Sequence, residues 1–525
     1  MPRVLVIGLD AACFNILLPL VEKGLMPNLA GFLAESTYAE MKSTFPPVTS
    51  PAWPSMATGL NPGKLGMFGF YNKKENSQWE FHLVSNNYSN KAIWGLASKE
   101  NLKCIVCGVP VTYPPVPIEG LMVTDMLTPK DGQYTYPKEL MIELKSKDLL
   151  INWEEKIDAE QVAAFVDEEG SLFLHLMRNF EWDFAMTVFR STDAIFHKDP
   201  DPRQIELVFT NIDRYLGEIL SLANSNDFVF IVSDHGMSSI REMINVNSLL
   251  QAEGLLHMLR VNEDIKDNLH LILQRISSSF LFRNGIFRNN LTRDLRRYLS
   301  AHYMGRRMDS NQDGPSGSKN LRRLSKKLID WSRTKCVFTS IGEGCGIYIN
   351  LKGREPMGIV KPDEYDKVRS EIISVLSKYD NLVVMKREEV YNGKHATKAP
   401  DLLLWVDDET ITTDARFIDR PVRQEFASYN HKMNGVFIAH GPGIQRNKKI
   451  DMLNIYDFMP TVLHILGIPI PEDVDGIVHK EIFDKNSEYY RRELKFQPPI
   501  EDEVEEYTDT ERVEIEKRLS DLGYL

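Results

Sequence analysis

Three aspartates and three histidines stand where apolar runs begin or end. Phe228-Val-Phe-Ile-Val232 passes through Ser233 into Asp234-His235-Gly236-Met237. Arg3-Val-Leu-Val-Ile-Gly-Leu9 delivers Asp10, and Ala185-Met-Thr-Val-Phe189 delivers Asp193 and His197. A fourth run, Gly435-Val-Phe-Ile-Ala439, has His431 just before it and His440 just after. Adjacent Asp and His offer oxygen and nitrogen to one metal ion. Taken singly, each site is as readily a polar turn closing a strand. Recurrence changes the balance, because parallel strands bring such ends to one sheet edge, where open α/β sheets bind ligands. His440 competes with His431 for a place in this set, and Asp199 with Asp193.

A nucleophile completes such a set. Pro46-Pro-Val-Thr49-Ser50-Pro-Ala-Trp-Pro-Ser55 reads as a rigid approach to a helix whose first turn tolerates proline. A hydroxyl at that start faces free backbone N–H groups and the positive end of the helix dipole. Such a place suits an alkoxide beside a phosphate, and it equally suits a simple N-cap.

The elements that position these residues follow from periodicity. Residues 1–247 alternate apolar strand runs with helical patterns, the signature of an α/β fold with a doubly wound, mostly parallel central sheet flanked by helices. Residues 248–333 form a helical, basic insertion with a flexible linker at 309–318, rich in Gly, Ser and Asp. Residues 334–430 read as a small α+β cap, with a helix near 363–378 and a strand at 381–385. The core closes over 431–485, where a helix at 455–466 stops at Gly467. A charged tail, 486–525, carries a surface helix over 501–525.

Composition narrows the function. Of 525 residues, 43% are hydrophobic and 26% charged, as in a globular protein. No stretch approaches the ~20 apolar residues of a membrane span. No signal-peptide pattern opens the chain, and five scattered cysteines fit a reducing cytoplasm, the expected location. Cys104 and Cys107 match Cys-x-x-Cys, but on a strand they face opposite ways. The net charge of −12 speaks against nucleic acid as a partner. Residues 283–335 hold 14 Lys/Arg against 4 Asp/Glu, read as a solvated helical face or the partner of an acidic one.

The ordered motifs resemble the alkaline phosphatase superfamily, in its type I phosphodiesterase/nucleotide pyrophosphatase branch. The matching pieces are Gly8-Leu-Asp10, Thr49-x9-Gly59-Leu-Asn-Pro-Gly-Lys64, Asp193-x3-His197, Ser233-Asp-His-Gly-Met237 and His431-x3-Gly435. Asp457-Phe-Met-Pro-Thr461, continuing to Asp475-Gly476, matches the closing segment. The resemblance implies two divalent metal ions about 4 Å apart. It assigns Asp193, His197 and His431 to one, and Asp10, Asp234, His235 and the Thr49 oxygen to the other. Ligands of nitrogen and oxygen without thiolate suit zinc, with manganese or iron as alternatives. It further implies a phosphothreonine intermediate on Thr49 and a small phosphate ester, nucleotide or other diester, as substrate. A phosphomonoesterase, phosphomutase or phosphonate hydrolase on the same core is the alternative, and a catalytically silent binding protein is the alternative of another class.

One position departs from the family. An asparagine three residues after the nucleophile, which helps hold phosphate oxygens, is Ala52 here. Ser50 and Asn72 are the candidate replacements for that donor.

Overall fold

The computed structural model describes residues 2–149, 159–258, 329–340, 342, 344–415, 422–501 and 507–522. The expected linker at 309–318 and most of the basic insertion lie outside the described residues.

Val4–Leu9 consists of aliphatic residues and glycine and is wholly buried. It therefore sits mid-sheet, pairing in parallel with Phe184–Phe189 on one side and Phe228–Val232 on the other. The register sets Leu9 against Phe189 and Gly8 against Val232, so Asp10, Arg190 and Ser233 leave the sheet at one level. Beyond Phe184–Phe189 lie Cys104–Cys107 and Gly120–Val123, both parallel, and then Thr135–Tyr136 at the edge. Beyond Phe228–Val232 lie Asn434–His440 and Thr37–Lys42, with short strands completing ten.

One expectation about this sheet is corrected. Asn434–His440 runs antiparallel to Phe228–Val232, not parallel. Its beginning, rather than its end, reaches the edge that carries Asp234. His431 arrives at that edge, and His440 leaves at the opposite one, where its Nδ1 lies 2.9 Å from the Glu35 carbonyl.

Alternation along the strands fills two cores. Val4 and Val6 pack with Trp53 and Trp94 on one face, and Leu5, Ile7 and Leu9 pack on the other. Cys104 and Cys107 divide between these faces in the same way, and burial pushes both thiols up to about 12.

Two smaller sheets complete the architecture. Gly236–Asn245 starts directly after His235 and pairs with Arg423–Lys432 antiparallel and with Ile411–Asp414 parallel. Neither Gly236–Asn245 nor Arg423–Lys432 is legible in the sequence as a strand, yet their register sets His431 opposite Met237. A four-stranded antiparallel sheet (Cys336–Phe338, Gly346–Ile349, Leu402–Val406, Leu382–Lys386) carries the helix Tyr365–Leu376. Leu249 and Leu250, from the helix Val246–Ala252, join its apolar core. The terminal helix Asp509–Leu522 is not wholly a surface element, since Ile515 and Leu519 are fully buried in the main core. Among the described residues no single helix is long and apolar enough to cross a membrane.

Candidate active site

The sheet edge gathers two groups of three potential ligands. In each, one ligand atom per residue lies within 4.8 Å of the others: Asp193, His197 and His431 in the first, Asp10, Asp234 and His235 in the second. All but His197 are buried, so the site opens to solvent on the His197 side. The groups abut, with the rings of His235 and His431 stacked at 4.2 Å between centroids.

Short elements fix each side chain. Asp193 and His197 are four residues apart on one helical face, with His197 Nε2 3.1 Å from the Asp193 carboxylate. Thr192 Oγ1 donates to the Asp10 carbonyl at 2.6 Å, tying this turn to the second group. The Ala11 N–H donates to Asp234 Oδ1. The second nitrogen of two histidines is already engaged: His235 Nδ1 lies 3.2 Å from the Gly236 carbonyl, and His431 Nδ1 lies 3.1 Å from that of Pro47. A carbonyl can only accept, so Nδ1–H is the donor and Nε2 keeps its lone pair for a metal.

The charges show why a cation belongs here. Burial and the neighbouring Asp193 push the Asp10 carboxyl up to about 7. Burial and Asp10 drive Asp234 well above the usual carboxylate range. Burial opposes ionisation of Asp193 too, but His197 and His431 hold it well below that range. Burial and His431 together disfavour the charged form of His235. Asp10 Oδ1, Asp234 Oδ2 and His235 Nε2 are buried and make no hydrogen bond. Three converging orphan atoms of this kind are costly unless an ion satisfies them, so the donor set fits a divalent metal.

Thr49 opens the helix Thr49–Thr58, which ends where Gly59 takes φ +67. Its Oγ1 is buried and has no hydrogen-bond partner. Its chain neighbours touch both groups. Pro47, two residues earlier, accepts from His431, while Trp53, four residues later and on the same helical face, donates Nε1–H to Asp10 Oδ2 at 3.1 Å. Gly8 makes that indole contact possible, since a Cβ there would lie 2.5 Å from the Trp53 ring. Trp53 and the Pro47 carbonyl escaped the sequence reading; a Trp four residues after a candidate nucleophile is the only signal that pointed to the first.

Other sequence candidates fall elsewhere. The Asn72 amide is held at both ends, by the Gly66 carbonyl at 2.5 Å and the Phe68 N–H at 3.3 Å, and so braces a turn. Ser50 Oγ, by contrast, is buried without a partner. Asp199 accepts from Ser428 Oγ at 3.0 Å on the rim, outside both groups.

A cavity of about 330 Å³ opens over the site. Val48, His197 and His431 form its floor, and Trp405, Thr412 and Asp414 belong to its cap side. Lys432 lines it, its pKa lowered by burial to about 8. Lys64 is paired with Asp475 at 2.8 Å, and Arg190 is buried.

The family model of type I phosphodiesterases/nucleotide pyrophosphatases matches residues 4–304. The chain belongs to this family. That span holds five of the six ligand candidates and Thr49. No curated protein matches the sequence. Among solved structures, human ectonucleotide pyrophosphatase/phosphodiesterase 5 is 15% identical, with 92% of this chain and 100% of that chain covered and a TM-score of 0.51. An inactive variant of the murine enzyme in complex with AMP is 13% identical over 90% and 96%, with a TM-score of 0.50. Phosphonoacetate hydrolase from Sinorhizobium meliloti 1021, in complex with phosphonoformate, is 15% identical over 87% and 94%, with a TM-score of 0.51. These neighbours share the alkaline-phosphatase-like fold, and the family is one of phosphoryl-transfer hydrolases.

Proposed function

We propose that the protein is a metal-dependent phosphodiesterase of nucleotide-pyrophosphatase type, with Thr49 as nucleophile. The carrying observation is the Thr49 hydroxyl, buried and unpartnered at the start of a helix, where neighbouring Pro47 and Trp53 contact His431 of one ligand group and Asp10 of the other. Asp193, His197 and His431 would hold one divalent ion, and Asp10, Asp234, His235 and Thr49 Oγ1 a second, zinc by ligand type. Bound there, such ions acidify a hydroxyl and offset charge on phosphate oxygens. Ionised Thr49 Oγ1 attacks phosphorus in line, and the ester oxygen leaves with the bonding pair and takes a proton from water. Water then attacks the phosphothreonine from the vacated side and releases phosphate monoester, restoring the hydroxyl. Ala52 supplies no side-chain donor to the phosphate, and the Ser50 hydroxyl and the first-turn N–H groups of Thr49 and Ser50 stand in.

Cavity charge favours a diester. A monoester brings a second negative charge and needs extra cations. Among the described residues Lys432 is the only Lys or Arg that lines the cavity, its Nζ donating to the Asp408 and Ile411 carbonyls at 3.4 Å, and Asp199 and Asp414 line it too. Monoesterase, mutase or phosphonate chemistry is thus the weaker reading, and a silent binding role would leave the orphaned hydroxyl unexplained.

Turnover of bis-p-nitrophenyl phosphate, p-nitrophenyl phosphate and a p-nitrophenyl phosphonate ester, measured side by side on metal-loaded protein, tests this. The diester should lead, and Thr49→Ala should lose roughly 10³-fold or more in kcat while keeping its metals. Full activity of Thr49→Ala would refute the covalent route, and a metal-free, metal-insensitive protein would refute the whole reading.

A further inference from the structure

The helix Ala159–Asn179 carries an ionisable side chain in its buried stripe. Val162, Val166, Phe173 and Leu176 recur at helical spacing and are almost wholly buried, and position 169 of that stripe is a glutamate. Glu169 is 2% exposed. Burial pushes its carboxyl up to about 8, against the opposing pull of Ser191 and Arg190. An aliphatic residue would fill this place at no such cost.

What the carboxylate does is visible in its partners. Oε1 accepts the Arg190 N–H at 2.8 Å, and Oε2 accepts the Ser191 N–H at 3.4 Å. These are the opening amides of the turn whose own bonds run from the Asp193 and Ala194 N–H groups back to the Arg190 carbonyl. Asp193 and His197 both hang from that turn. Glu169 thus grips from below the segment that Thr192 ties sideways to the Asp10 carbonyl.

We propose that Glu169 is a positioning residue for the first ligand group. By fixing the amides of Arg190 and Ser191, it sets where Asp193 and His197 stand relative to His431, while the group of Asp10, Asp234 and His235 meets the turn through Thr192 but is also held by the Ala11 N–H, the Trp53 indole and the Gly236 carbonyl. The inference rests on the metal-binding role proposed above. It requires that loss of Glu169 weaken one metal site and spare the other, whereas a general packing defect would weaken both.

The test uses the full-length protein stripped of metal and titrated with Co²⁺, followed by absorbance and by competition with a chelator. Wild type should bind two ions. Glu169→Ala should lose about tenfold or more in affinity for one ion and stay within about twofold for the other. Glu169→Gln, which keeps one acceptor for the Arg190 N–H and turns an amide donor toward Ser191, should fall between. Activity on the diester at saturating metal should show reduced kcat with KM within about twofold. Two wild-type affinities in both variants would overturn the inference, as would equal weakening of both sites together with a lower melting temperature. Glu169→Gln carries the comparison should Glu169→Ala fail to fold. A wild-type chain that binds no metal would overturn the inference together with the function beneath it, a result distinct from two intact sites in the variants.

Discussion

Stripping the metals should make the protein's stability fall as pH rises. Asp10 and Asp234 are buried together and both resist ionisation in the absence of a cation. A carboxyl whose folded pKa lies above its unfolded value weakens the fold as pH climbs from the unfolded pKa to the folded one. For Asp10 that window runs from 3.8 to about 7. Each pH unit of that window is worth about 1.4 kcal/mol, so ionising Asp10 in place costs up to about 4 kcal/mol. Asp193, held low by His197 and His431, acts only below about pH 4 and leaves the window untouched. His431, raised by Asp193, loses stabilisation as pH rises, whereas His235, held neutral by burial, gains it; the two oppose one another. The carboxylates therefore set the sign. Between pH 5 and pH 8 the protein crosses about two units of that window, roughly 3 kcal/mol, which at roughly 2 cal/mol/K per residue over a chain of this length is a melting shift of about 3 °C. Thermal melts at pH 5 and pH 8, with chelator and with added zinc, read it directly. The stripped protein should melt lower at pH 8, and the gain from zinc should be larger there, since ligands must be deprotonated to bind. A stripped protein at least as stable at pH 8 as at pH 5 would refute the electrostatic account of the site.

Further outcomes follow from the same geometry. His431→Ala should lose one metal ion and roughly 10²-fold or more of the turnover, while His440→Ala, at the opposite sheet edge, should stay within about twofold; metal analysis and kcat decide between them. Asn72→Ala should lower stability by about 1–2 kcal/mol through its two lost hydrogen bonds and leave kcat unchanged, as chemical denaturation and diester assays would show. Limited proteolysis should cut first within residues 309–318, because Gly/Ser/Asp-rich segments are preferred nicking sites; the nicked protein should keep its metals and hydrolyse a small diester. Release of the metals on nicking would refute the division of the chain into core and insertion.

Much of this site could be read before the fold was known, and the reason is physical. A buried parallel strand is almost forced to be an apolar run, so a polar residue at its end is conspicuous. Asp10, Asp193 and Asp234 were legible for that reason alone. His431 was harder, because strand direction has no signature in a single run. Gly435-Val-Phe-Ile-Ala439 reads identically whether parallel or antiparallel, and only direction decides whether His431 or His440 meets Asp234. Direction here is set by Gly236–Asn245 and Arg423–Lys432, whose pairing brings His431 beside Met237. Those strands mix polar and apolar residues because one side meets the cap and the other meets solvent, so they carry no clean period. Contacts made through backbone atoms left no trace in the sequence at all. The Pro47 carbonyl that orients His431, and the two amides held by Glu169, are groups that every residue type carries. Glu169 left one trace, an acidic residue in an apolar helical stripe. Such a residue means little until the structure shows which amides it holds. The candidate ligands of this site were thus visible in side-chain type, and the parts that aim them only in the fold.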